Sequence, residues 1–435
     1  MDRAMAALSP TGAAPSAKRY WTAGPQHPPG RFGHVTVIGA GIVGLTTAAA
    51  LRRSGRSVTV LDAASDVGRG TSFGNGCQLS YGYVAPLAQP GLLAELPQLL
   101  FARSAPLKIV PRASIAQWRW MLQFLLACRA SRAHAGSLAL LALGALSRQE
   151  TDLWLADADT EALSFSRHGK LVLLPTDAAL HKARAQLALQ APCGPLQTAV
   201  SEVECLRIEP ALARLRGQIA GAIHTPSECA IDSHALCRDL EHHLKAQGVD
   251  IVLGTAVREF RRTGDQVTHL VTDAGVREVD GLVIAAGPAS AAMARQLGFP
   301  VPVYPLKGYS ITVPVREPCG APHVSVTDAG RKVVYARIGA RLRVAGVAEI
   351  GGYDARVDAR RIRELSDHTR QAFGSAVDLD AVEPWAGLRP ATPTSVPIVG
   401  PSPRRNVFLN IGHGALGLTL AFGSARRLVD LLDAA

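Results

Sequence analysis

Between Val35 and Asp62 the chain spells out one supersecondary unit almost completely, and that unit constrains everything else. The run VTVIGAG reads as a buried strand entering a glycine turn; residues 42–54 are rich in Ala and Leu and read as a helix; Gly55 stops it; SVTVLD reads as the next strand. Gly39, Gly41 and Gly44 sit in the turn with GxGxxG spacing. Gly39 allows the tight turn, Gly41 lets a pyrophosphate approach the backbone, and Gly44 lets the helix pack close to the strand. The helix N-terminus then offers amide donors and a favourable field to phosphate. Asp62 ends the second strand, where an acid is placed to bind adenosine ribose hydroxyls and disfavours a 2′-phosphate. Glycines alone could make a tight turn in any α/β protein. Strand, turn, helix, spacing and acid together predict a dinucleotide site, without separating FAD from NAD.

A second glycine-rich loop, GHGALG at 412–417, also lies between an expected strand (VFLNIG) and an expected helix (418–432). Two such loops at opposite ends of the chain suggest a long cofactor crossing the domain. The helix amides at 418 would face a group that gains negative charge on reduction. A simple packing turn is the alternative. Between these ends the pattern predicts a loop at 68–83, helices over 92–148 broken near Pro106 and Pro111, a strand at 169–175, and a helix at 233–247 capped by Asp232 or Ser233. Further strands are expected at GLVIAAGP and at YSITVPV, KVVYARIG and RLRVAGVAEI, the last two joined by a turn at Gly339 and Ala340, followed by a helix within 353–375. The fold class is therefore α/β with an additional α+β region containing a mixed or antiparallel sheet.

Composition excludes several classes. With 435 residues and 48% apolar content the chain can bury two or three domain cores. Lys and Arg number 46 against 35 Asp and Glu, a formal charge of +11, which favours anionic partners. No compact basic block or aromatic-spaced basic stripe accompanies it, so nucleic acid is not expected as a partner. The seven Cys show no CxxC and no metal-ligand spacing, which fits reduced thiols in a cytoplasmic protein and no metal. Residues 1–33, rich in Ala, Pro and Gly, read as a flexible leader without a signal peptide's apolar core. No stretch of about 18 uncharged apolar residues suggests a membrane span.

Four segments carry a resemblance across residues 34–435: VTVIGAGIVGLTTAAAL; GTSFGNGCQLSYGYVAPLAQPG; PLKGYSITVPV; and WAGLRPATPTSVPIVG with NVFLNIGHGALGLTLAFGSARRLVDLL. The chain resembles the D-amino acid dehydrogenase small-subunit family, within the wider group of glycine, sarcosine and D-amino acid oxidases. It departs from that family's TSFANAGQ pattern at Gly74, Gly76 and Cys77, and has Ser395 and Val396 where Asp-Gly is more common. The resemblance implies noncovalent FAD and a Rossmann-type FAD-binding domain assembled from discontinuous segments, with a second α+β substrate domain over the flavin. The expected boundaries are 34–90, 221–300 and 381–435 for the FAD domain, and 91–220 and 301–380 for the substrate domain.

The activity implied is oxidation of a D-amino acid to a 2-oxo acid and ammonia by hydride transfer to flavin. Electrons would pass to a quinone or other respiratory acceptor, with peripheral contact at the cytoplasmic face of an anionic inner membrane left open. A D-hydroxyproline, glycine or sarcosine enzyme, an NAD-dependent dehydrogenase and a noncatalytic flavoprotein subunit are the alternatives, and oligomeric state is not legible. For FAD, the expected contacts are Gly39, Gly41, Ile42, Gly44, Asp62, Thr71, Ser72, Asn75, Gly76, Gln78, Leu79 and Gly287, with Gly412, Gly414, Ala415, Leu416, Gly417, Leu418 and Thr419 at the other end. For the substrate, the resemblance points to Arg337 as the carboxylate-binding fork; Tyr335 alternates with it and would share its face, Tyr309 is a second donor or a structural strand tyrosine, and Tyr81 and Tyr83 follow the flavin loop toward the entrance. Arg389 is expected to assist flavin or carboxylate, or to tie the domains together. His413 would neighbour the isoalloxazine, and Lys307 is a weaker candidate for influencing flavin. No acidic residue stands out as a general base.

Overall fold

The computed structural model describes residues 21, 32–84, 86–92, 107–190 and 194–434. Its first layer is a six-stranded sheet. His34–Ile38 lies at the centre, parallel to Ser57–Leu61 on one side and to Gly281–Ile284 on the other. Asp250–Val252 extends one edge and Val407–Ile411 the other, both parallel, and Ile398–Pro401 closes the sheet antiparallel. The central strands are apolar on both faces because both faces are covered. Helix Ile42–Arg53 packs against Gly417–Asp433 and Ser233–Ala246, and Ala130–Leu155 lies along Gly417–Asp433. Asp232 caps Ser233–Ala246 by accepting from the amides of His234 and Ala235, a contact worth about 1 kcal/mol. A three-stranded antiparallel sheet, Val257–Thr263, Gln266–Thr272 and Gly275–Glu278, branches off this layer.

The second layer is a nine-stranded mixed sheet. Its order is Glu383–Ala391, Tyr304–Pro314, Arg341–Ile350, Val333–Ile338, Ser325–Asp328, Lys170–Leu174, Gly221–Thr225 and Thr198–Ser201, with Leu107–Ile109 parallel to the end of Arg341–Ile350. Two of its pairings are parallel and the rest antiparallel. Helix Ala359–Phe373 packs on its back face, where Tyr335 meets Phe373 edge-on at 5.1 Å between ring centroids. The front face turns toward the dinucleotide layer. Strand alternation therefore decides which side chains can reach a ligand.

The FAD-type layer is assembled from segments far apart in sequence, as expected. Gly221–Thr225 and Glu383–Ala391 both hydrogen-bond into the nine-stranded sheet, so the chain crosses back to the first layer after residue 225 and again after 391. In the leader region, Trp21 is buried against Trp154 and Phe422, and Phe32 against Phe408, so these two residues are part of the packed core. The rest of 1–31 lies outside the described residues, as does the expected helix over 93–106. The helix that follows is two helices, Ile115–Ala127 and Ala130–Leu155.

Candidate active site

The glycine turn behaves as its spacing predicts. Gly39 has φ +116°, and a Cβ there would strike the Ala285 carbonyl. A Cβ on Gly44 would strike the carbonyl of Gly39 itself, so helix and strand approach too closely for any side chain. Asp62 accepts from the Ala40 amide at 2.6 Å and the Ala64 amide at 2.8 Å, which fixes the carboxylate at the strand end. Ser72 accepts from the Ile42 amide at 3.0 Å and joins its own loop to the helix N-terminus.

From this turn a cavity of about 980 Å³ extends to the front face of the nine-stranded sheet. Of the residues expected at the cofactor, Gly39, Gly41, Ile42, Asp62, Thr71, Ser72, Asn75, Gly76, Gln78 and Gly287 line it, as do Gly412 and every residue from Gly414 to Thr419. Gly44 and Leu79 do not. Gly44 serves helix packing, and Leu79 is buried in the core, on a short strand that contacts helix Gly417–Asp433. A dinucleotide fits this cavity on the structure's own terms. The cradle at Gly39–Gly41 is free of side chains, the helix at 417 presents its N-terminus, and the Asn410 side-chain oxygen is buried at the cavity wall without a partner. Asn410 was not singled out in the sequence, because an Asn in an apolar strand carries no motif.

The loop 74–78 is held by the substrate sheet. Ser310 donates to the Gly74 carbonyl at 2.7 Å, Arg343 to the Asn75 carbonyl at 2.9 Å, and Gln78 to the carbonyls of Val326 and Tyr335 at 3.1 Å. Thr71 donates to Leu388 O at 2.6 Å, so its hydroxyl proton is engaged by the second layer. Cys77 has φ +56° and is buried at the cavity wall, and desolvation raises its thiol pKa. The left-handed backbone explains why glycine is common at this place in the resembling family.

The expected substrate residues separate into two groups. Tyr83, Tyr309, Arg389 and His413 line the cavity, and Arg337 and Tyr335 do not. On Val333–Ile338, Val334 faces the cavity, so the odd-numbered residues point to the back. Tyr335 is packed there under Phe373. Arg337 donates to the carbonyls of Pro318 at 2.8 Å and Gly339 at 3.2 Å. The expectation that Arg337 grips a carboxylate in the cavity is not met, because strand alternation turns it away. Tyr309 borders the cavity, but its hydroxyl donates to Glu349 at 2.9 Å, and Glu349 is in turn bonded to Arg361 of the covering helix. Lys307 lies over the Tyr309 ring rather than in the cavity, and Tyr81 is buried in the core.

Of the arginines expected at the substrate, Arg389 is the one that lines the cavity. It is half-buried, its guanidinium lies flat against Gly308, and it donates to the Val347 carbonyl at 3.1 Å. Val347 sits in a bulge opposite Gly308 with φ +60°, a strained conformation for a β-branched residue, and that twist aims its carbonyl at Arg389. Among the described residues no carboxylate pairs with Arg389. Burial alone lowers its pKa to about 10, so it stays charged at neutral pH. His413 is buried against the end of the Arg389 strand, where it bridges to Ala391, and is bonded to the Ser424 hydroxyl at 3.0 Å; desolvation pushes its pKa down to about 3, so the ring is neutral. Leu87, Leu107, Leu306, Val347 and Ala348 complete an apolar wall.

The sequence reading also passed over Lys170, a buried lysine at the head of an otherwise apolar strand. It lines the same cavity, donates to Ser80 Oγ at 2.7 Å and lies 4.7 Å from the Tyr83 ring centre.

A doubly wound layer with a side-chain-free phosphate cradle, a distant helix N-terminus and a second sheet closing over both defines a two-domain flavin-binding oxidoreductase. Residues 34–431 match the family model described as FAD dependent oxidoreductase, and the chain belongs to that family, with FAD as its cofactor. It is 46% identical over 407 residues to D-amino acid dehydrogenase 2 of Ralstonia nicotianae, covering 92% of this chain and 96% of that one. It is 43% identical to D-amino acid dehydrogenase 2 of Pseudomonas aeruginosa, covering 91% and 94%. Among solved structures, L-proline dehydrogenase from P. horikoshii superposes with a TM-score of 0.71 at 17% identity, covering 93% of this chain and 94% of that one. Glycine oxidase from Geobacillus kaustophilus gives 0.68 at 20%, covering 93% and 95%. These structural likenesses concern the fold.

Proposed function

We propose that this enzyme oxidises D-α-amino acids to 2-oxo acids and ammonia. The observation that carries the reading is Arg389, a half-buried guanidinium lining the dinucleotide cavity with no carboxylate partner among the described residues. A planar fork in a dry site binds a carboxylate bidentately and fixes the Cα–H bond that must break. Bound FAD supplies the two-electron acceptor. The chain's own residues do the rest. Arg389 holds the carboxylate, and the apolar wall from Leu87 to Leu306 excludes bulk water. Neutral His413 adds no second positive charge against the amine, which must be unprotonated as its Cα–H bond breaks. Loss of two electrons and the Cα hydrogen leaves an imino acid, which water hydrolyses. The close relatives named as D-amino acid dehydrogenases support the D configuration, and that same designation supports an acceptor other than oxygen, of quinone type.

Peripheral membrane contact is part of this reading. On Ile115–Ala127, Ile115, Trp118, Leu122 and Leu126 are all exposed at helical spacing, flanked by exposed Arg112, Arg119, Arg129 and Arg132. No helix among the described residues is long and apolar enough to cross a membrane. The test is anaerobic absorbance spectroscopy of the yellow protein with matched D- and L-amino acids. Bleaching of the flavin band by the D series alone is the expected result. Bleaching by the L series, or by neither, overturns the proposal.

A further inference from the structure

Lys170 is a charge in a place where charge is costly. All five residues of Lys170–Leu174 are buried, and Lys170 shares its face with Val172 and Leu174. An ammonium has three donors. Ser80 Oγ takes one at 2.7 Å, and the Tyr83 ring face lies 4.7 Å away. The nearby acid is Glu228, which is within electrostatic reach but not paired with it. Both Glu228 oxygens are occupied, accepting from the amides of Tyr81 and Gly82 at 2.7 Å each. Desolvation lowers the lysine pKa to about 8, so it is mostly charged at neutral pH. A buried cation with no ion-pair partner among the described residues costs free energy that the fold could have avoided with Met or Leu. Its retention at a cavity wall points to a ligand that supplies the anion.

The cavity wall thus carries buried Lys170 and half-buried Arg389, and one stretch of wall lies between them. Next to Lys170, the Ser80 amide donates to Thr419 Oγ1 at the start of helix Gly417–Asp433. Tyr83, further along, borders the cavity, and the Leu87 amide donates to Ser395 Oγ, six residues beyond Arg389. Ser80 thus sits at the lysine, and Leu87 at the turn that follows the arginine's strand. One carboxylate suffices for Arg389. A second cation along the same wall fits a substrate with a second carboxylate.

We propose that Lys170 receives the side-chain carboxylate of an acidic D-amino acid, so that D-glutamate and D-aspartate are the preferred substrates. This rests on the D-amino acid oxidation proposed above and narrows it. A neutral side chain would leave the ammonium unpaired, and a basic one would meet it with like charge.

The holoenzyme is assayed with D-glutamate and its neutral isostere D-glutamine, and flavin content is checked in each preparation. In the wild type D-glutamate is expected to have the higher kcat/KM. In Lys170→Met the ratio of the two kcat/KM values is expected to fall roughly 10- to 100-fold, the range of one charge-assisted hydrogen bond. Lys170→Arg should restore part of the ratio. A wild type that prefers D-glutamine, or a Lys170→Met variant that slows both substrates equally, overturns the assignment and leaves D-amino acid oxidation standing. A wild type reduced by no D-amino acid at all overturns the broader reading instead. Should Lys170→Met fail to hold FAD, binding to the wild type decides. Glutarate should perturb the flavin spectrum at a concentration at least 10-fold lower than butyrate, and equal affinities overturn the proposal.

Discussion

At the residue scale, two arginines make opposite predictions. Arg389 is half-buried at the cavity wall with no acid paired to it among the described residues, and Arg337 is bound to backbone carbonyls on the far side of the same sheet. Arg389→Leu removes both hydrogen bonds of a bidentate grip, each worth about 1.5–3 kcal/mol, so kcat/KM for D-amino acids should fall by at least about 100-fold. Arg337→Ala should leave KM where it was and show its effect in thermal stability alone. Steady-state kinetics of both variants check the pair, and the reverse pattern would restore Arg337 to the site. His413 gives a stability prediction with a definite sign. Its folded pKa is near 3, below the ordinary value of about 6.5, so the unfolded chain binds more protons between these values. Stability is then fully present above about pH 6.5 and is lost as pH falls toward 3, by at most about 1.4 kcal/mol per pH unit from this group. Urea unfolding at pH 7 and pH 5 should show the loss, and His413→Asn should flatten it.

At the scale of elements, the flavin loop shows how one departure from a family pattern is tied to another residue. Gly74 stands where the family commonly has Ala, and a Cβ there would run into the Trp385 indole from the adjoining strand. Gly74→Ala should therefore destabilise the holoenzyme by about 1–3 kcal/mol and weaken FAD retention, and adding Trp385→Leu should recover much of it. Thermal melts and flavin content of the single and double variants measure this coupling; a single variant as stable as wild type would show that the indole moves freely. The same loop marks the limit of what sequence alone could supply. The turn Gly39–Gly44, the Asp62 strand end, the Asp232 cap and the hairpin at Gly339 were all legible, because each is a local pattern with a backbone cause. Which way Arg337 points was not. Side-chain alternation gives two faces, and only the partner elements, here helix Ala359–Phe373 behind and the flavin loop in front, decide which face is the site. Lys170 was hidden for a related reason. A lysine opening the run KLVLL reads as the polar end of a strand, and its burial arises from the segment 80–83, which lies about ninety residues earlier in the chain.

At the scale of the whole molecule, the site needs both layers, and the exposed stripe on the outer surface carries the proposed membrane contact. The cavity takes its phosphate cradle from one sheet and its cations from the other, so neither layer alone could orient a substrate. If the electrons pass to an acceptor dissolved in a bilayer, as proposed above, the exposed stripe on Ile115–Ala127 is where the enzyme would meet it. Sinking Ile115, Trp118, Leu122 and Leu126 into the headgroup region would remove apolar surface worth about 1.5–3 kcal/mol for each side chain fully covered. Arg112, Arg119, Arg129 and Arg132 would each add about 1 kcal/mol against anionic lipid. The full-length holoenzyme should therefore sediment with vesicles containing anionic phospholipid and stay in solution with zwitterionic ones. The anionic binding should weaken as salt rises, because its Coulombic part is screened over about a nanometre. Trp118→Ser with Leu122→Ser should lower vesicle affinity at least 10-fold while flavin reduction by substrate in solution proceeds as before, since both residues lie outside the cavity lining. Binding that ignores lipid charge, or a double variant that binds vesicles as tightly as the parent, would assign the stripe to another partner. A wild type that dimerises through the stripe while the double variant is monomeric would identify that partner as a second copy of the chain.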